Sequence, residues 1–249
     1  MTTPSQLAQG QAALDRGDPA GALQAADAML ADHPGDDAAH ELRARALLAM
    51  GRVDEAEREA QDAVRLDPDE IRYRELLAET LAAEGAHGEA AAEYGRLARN
   101  DPRQRDWALA EAEERLSAAE AGEAAEAARR AVRLDPRDAD AQLALARALT
   151  RSGDAPGALA AATMALDLRP GDQAAREVLA EARWLTGQPA AALAELRALA
   201  DERSGADRRR VLDKARSLYR SRAGWLGRLV AGWPWLFDVA FQRGWLAAA

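Results

Sequence analysis

The chain has no cysteine, a single lysine (Lys214) and only three histidines, His33, His40 and His87. The first absence excludes disulfides, thiolate metal sites and a cysteine nucleophile; three scattered histidines leave little material for a zinc or haem centre. No metal and no cofactor is expected. β-Branched residues are scarce and only 11 of the 249 residues are aromatic, so a sheet has little to be built from. A phosphate-cradling glycine loop, a His-x-x-x-His pair and a nucleophile elbow are also missing, and carboxylates on charged helices are normally solvated or paired. The sequence reads as that of a non-enzyme. The opening MTTPSQLAQGQ has neither a basic stretch nor an apolar run, which predicts a cytoplasmic location.

What the chain has in quantity is alanine, 65 residues, and arginine, 32, both strong helix formers. Its net charge of −9 is unevenly placed. Residues 207–249 carry nine basic and three acidic groups, or +6, which leaves −15 on residues 1–206. An array this acidic repels phosphate backbones, so no nucleic-acid partner is expected.

Prolines at 34, 68, 102, 136 and 170 recur every 34 residues. Gly17, Gly51, Gly85, Gly153 and Gly187 keep the same period, with Ala119 in the one gap, and Ala22, Ala56, Ala90, Ala124, Ala158 and Ala192 keep it without exception. Within one period, Leu42, Ala46 and Ala49 fall at helical spacing before Gly51. Asp54 and Glu55 then open a second helix, Ala56, Ala60, Ala63 and Val64 form its buried stripe, and Asp67-Pro68 stops it. The alanine after the turn lets two helix backbones approach closely. A helix pair of about 30 residues cannot cover its own apolar face, so the pairs must stack.

The third period, with Leu77-Ala78, Leu81, Gly85, Ala90, Tyr94, Leu97 and Pro102, resembles the tetratricopeptide repeat. The fifth does likewise, with Leu145-Ala146, Leu149, Gly153, Ala158, Ala165 and Pro170. Six units follow, at 3–36, 37–70, 71–104, 105–138, 139–172 and 173–206. Three features depart from the pattern. The early aromatic of the first helix is replaced by Gln6, His40, Arg74, Ala108, Gln142 and Arg176; the fourth unit has Ala119 for its turn glycine and Arg115 at a usually apolar position; and the sixth ends in Ser204.

The resemblance implies an all-α, right-handed superhelical solenoid of antiparallel helix pairs, whose concave face, lined by first helices, binds peptides or helices of other proteins. Carried onto this chain, the family's groove-facing positions include the acids Asp15, Glu41, Glu75, Glu79, Asp106, Glu113, Asp140, Glu177 and Glu181. The bases there are Arg45, Arg72, Arg147 and Arg151, and the apolar residues include Leu7, Leu14, Leu48, Leu109, Leu116, Leu143 and Trp184. An acidic trough with an apolar floor is expected to attract a basic segment carrying apolar anchors. The alternative is a solvated face without a ligand. The family's lysine–asparagine carboxylate clamp is not expected, because Lys214 lies outside the array and Asn100 is the sole asparagine.

Residues 207–223 read as a basic amphipathic capping helix, with Val211, Leu212, Ala215, Leu218 and Tyr219 on one face and Arg208, Arg209, Arg210, Lys214, Arg220 and Arg222 left as a basic surface. Residues 224–249 hold six aromatics: Trp225, Trp233, Trp235, Phe237, Phe241 and Trp245. Pro234 divides them into short helices near 225–233 and 235–247. Six such rings leave on the order of 1,000 Å² to be covered. Three destinations are open. The tail can fold onto the array or trough of its own or a neighbouring chain, giving self-docking or a homo-oligomer. It can lie in an anionic membrane interface, making the protein a peripheral adaptor at the cytoplasmic face. Or it can dock on another protein.

Overall fold

In the computed structural model the described residues are 4–222 together with Phe237, Ala240 and Phe241. Among them are thirteen α-helices and no strand. In chain order these are α1 (Pro4–Asp15), α2 (Pro19–Asp32), α3 (Asp37–Ala49), α4 (Val53–Leu66), α5 (Ile71–Glu84), α6 (His87–Asn100) and α7 (Arg105–Ser117), followed by α8 (Ala121–Leu134), α9 (Ala139–Ser152), α10 (Ala155–Leu168), α11 (Gln173–Leu185), α12 (Pro189–Asp201) and α13 (Gly205–Arg222). The capping helix expected over 207–223 is α13, which begins two residues earlier.

The three combs have distinct structural jobs. Every comb glycine has a positive φ, between 73° and 91°, and closes the turn after a helix. Ala119 adopts the same left-handed conformation, at φ 63°, and is the one non-glycine among the described residues to do so. All six comb alanines are 0% exposed, which is the close helix approach that a larger side chain would prevent. Two residues beyond four of the comb prolines, Asp36, Glu70, Asp138 and Asp172 accept hydrogen bonds from backbone N–H groups at the start of α3, α5, α9 and α11.

Four of the six positions that lack the family's aromatic carry a polar latch instead. His40 Nδ1 lies 2.7 Å from Glu59 and its Nε2 lies 3.1 Å from the Pro34 carbonyl. Arg74 donates to Glu93 at 2.8 Å and to the Pro68 carbonyl at 3.2 Å. Gln142 donates to the Pro136 carbonyl at 3.1 Å, and Arg176 to Glu195 at 2.5 Å. Each latch ties a first helix to the proline turn six residues before it, to a carboxylate 19 residues ahead on the second helix, or to both. His87 is the first residue of α6, with Nδ1 2.8 Å from Glu114.

The chain divides into two compact units, Met1–Glu120 and Ala121–Ala249. In the first, each helix from α1 to α7 packs on the next, and α1, α3 and α5 also touch in succession, forming one layer. Met29, Leu42, Leu76 and Leu81 are among its core residues. In the second, each helix from α8 to α13 packs on the next, and α9 touches α11.

Candidate functional site

In the first unit the layer of α1, α3 and α5 carries a cavity of about 470 Å³ lined by Leu7, Gln11, Leu14, Asp15, Ala38, Glu41, Leu42 and Arg45. Five of the residues expected in the groove, Leu7, Leu14, Asp15, Glu41 and Arg45, meet here. Glu41 is not an open acid, however. It is 6% exposed, with Arg45 at 3.0 Å and Arg72 at 3.4 Å, so its charge is already answered.

Further along that layer the acids are less well matched. Glu75 on α5 accepts a hydrogen bond from the indole of the buried Trp107. Glu79, one turn on, is exposed and makes no ion pair among the described residues. Loss of hydration among its neighbours pushes its carboxyl above the ordinary range; Arg45 pulls the other way and Glu75 adds to the rise. Burial, with Glu79, Glu114 and Glu75 nearby, pushes the Tyr94 phenol up to about 12, so it stays a neutral hydrogen-bond donor. Leu48 and Leu109 are half-buried and Glu113 is exposed.

Three residues expected to line the groove are buried. Leu116 and Leu143 are each 7% exposed and sit in the helix packing. Trp184, 3% exposed, belongs to a core with Leu193, Leu196, Leu199, Val211 and Leu212. Phe237 and Phe241 complete that core, stacked with centroids 5.6 Å apart, and Tyr219 meets Phe237 edge-on at 5.8 Å. Two of the six tail aromatics are thus covered by the chain's own α11–α13 and are out of reach of lipid. Trp225, Trp233, Trp235 and Trp245 lie outside the described residues.

The second unit also corrects the expected acidity. Glu177 has Arg203 at 2.7 Å, Lys214 at 3.5 Å and Arg210 at 3.9 Å, while Glu181 has Lys214 at 2.7 Å. Part of the basic surface assigned to the capping helix therefore turns inward and neutralises these acids. With Arg147, these residues line a second cavity of about 440 Å³. Among the described residues no cluster of His, Asp and Glu could hold a metal ion, and no helix is long and apolar enough to cross a membrane.

Stacked helix pairs with caverned first-helix faces define the α-solenoid class of scaffold. Two Tetratricopeptide repeat profiles match, one over residues 13–80 and the other, in overlapping stretches, over 109–173 and 151–207. The chain belongs to the tetratricopeptide repeat family, whose fold serves generally as a protein–protein interaction scaffold. No curated protein sequence matches the chain significantly. Among solved structures, a tetratricopeptide repeat protein from Parabacteroides merdae ATCC 43184 is similar over 98% of both chains, with a TM-score of 0.68 and 14% identity. PilW, a widely conserved type IV pilus biogenesis factor, is similar over 83% of this chain and 96% of its own, with a TM-score of 0.65 and 17% identity. A MamA fragment from Desulfovibrio magneticus RS-1 covers 66% of this chain and 93% of its own, with a TM-score of 0.59 and 18% identity. At these identities the likeness is one of fold.

Proposed function

We propose that the first unit receives a segment of another protein carrying both basic and apolar side chains, laid along α1, α3 and α5. The observation that carries this reading is Glu79. It is an exposed carboxylate with no ion pair among the described residues, raised by crowding and by Glu75 beside it. A lysine or arginine brought in by a partner supplies the missing counter-charge, and the half-buried Leu14 and Leu48 offer apolar surface on the same layer. Paired acids such as Glu41 serve as frame, holding Arg45 and Arg72 in place.

The test is titration of the full chain with a peptide alternating arginine and leucine. The double variant Glu75→Gln, Glu79→Gln should bind about tenfold more weakly at low ionic strength, with a smaller loss at high salt. Unchanged affinity moves the binding surface off this layer.

A further inference from the structure

The cavity in the second unit has the opposite sign from the surface just described. Five of its lining side chains are basic, Arg147, Arg151, Arg203, Arg210 and Lys214, and two are acidic, Glu177 and Glu181, which leaves +3. Both acids are already engaged. Arg203 holds Glu177 at 2.7 Å and also donates to Gln173 at 2.8 Å, and Lys214 spans both carboxylates. Arg203 and Glu177 are largely enclosed, with side chains 11% and 14% exposed. Arg147, on α9, is exposed and makes no ion pair among the described residues.

We propose that this cavity is an anion-binding site for an acidic protein segment, separate from the site in the first unit. Its charges are presented in one-turn pairs on three helices: Arg147 and Arg151 on α9, Glu177 and Glu181 on α11, Arg210 and Lys214 on α13. Residues four apart on a helix stand about 5–6 Å from each other. Alternate side chains of an extended peptide are about 6.6 Å apart. Cations spread in pairs at that interval suit carboxylates spread along a chain, whereas one small anion is held best by donors converging on a point. Glu177 and Glu181 hold Lys214 and Arg203 in the cavity wall, and Arg147 meets the incoming carboxylate directly. The charge excess also speeds encounter with an acidic segment.

Titrating the full chain with hexaglutamate tests this, with inorganic phosphate and the arginine–leucine peptide as comparisons. Hexaglutamate should bind more tightly than phosphate, and Arg147→Glu should weaken it about tenfold while leaving the arginine–leucine peptide unaffected. Arg147→Gln should give a smaller loss in the same direction. Glu181→Gln, which removes one negative charge, should strengthen hexaglutamate binding. Absence of hexaglutamate binding, insensitivity to both Arg147 variants, weakening by Glu181→Gln, or phosphate binding as tight as hexaglutamate would each overturn the proposal. Because the two peptides report on different units, failure of one reading is separable from failure of the other.

Discussion

Ala119 shows how one residue can follow a periodic demand at its own expense. The turn needs a left-handed residue, glycine supplies it in five periods, and alanine adopts it here at φ 63° with its side chain exposed. Left-handed backbone costs an L-residue about 1–2 kcal/mol, while glycine's extra freedom in the unfolded chain costs about 0.4–1 kcal/mol. Ala119→Gly should therefore stabilise the protein by about 1 kcal/mol, measured by urea unfolding. Glu79 gives a pH-dependent counterpart. Its carboxyl is raised from the ordinary 4.5 in the folded state, so the folded protein binds the proton more strongly and stability falls as pH rises through that window. Glu79→Gln should accordingly raise stability at pH 7, by no more than about 0.5 kcal/mol as befits an exposed site. The gain should vanish in thermal melts performed below the ordinary carboxylate range. A proposed contact residue that weakens the fold carrying it fits selection for contact over stability.

At the scale of helices, the 34-residue period was fully legible because each comb answers a separate local requirement: a stop, a left-handed turn, a point of close approach. The last is testable. Ala90 is 0% exposed among Leu76, Leu77 and Leu81, so Ala90→Leu should overpack that core and cost about 1–3 kcal/mol in chemical denaturation. The polar latch was harder to see. Missing aromatics look like simple losses until the carboxylates 19 residues on, Glu59, Glu93 and Glu195, are noticed; that spacing was present in the sequence as a usable signal. Groove positions carried over as if all units were identical include some that are buried or already paired. Trp184 was projected onto an open face, yet its helix is the last of the first-helix series and is covered by α13 and the tail. Glu177 and Glu181 were counted as free acids because their partners sit 26 to 37 residues away, on side chains whose reach only the packed arrangement reveals.

For the whole molecule, the relevant division is between two cores, and the second includes Phe237, Ala240 and Phe241 from beyond α13. Phe237 is fully buried between the rings of Phe241 and Tyr219, with the Arg216 guanidinium 5.5 Å from its centroid. Phe237→Ala should cost the second unit about 3–5 kcal/mol. Hydrogen exchange should then quicken in α11–α13 and stay unchanged in α1–α7. Sequence alone recorded that the tail needed cover and left its destination open, since amphipathic aromatics satisfy lipid, a partner or the parent chain equally well on composition.

That plug has a practical corollary for anyone seeking the physiological companions of this protein. Bait shortened before residue 237 would bare Trp184, Leu196 and Val211 at one end, and a sticky stump of that kind retrieves whatever greasy surface is abundant. Affinity tags belong at the other terminus, and specificity controls should begin with the intact polypeptide.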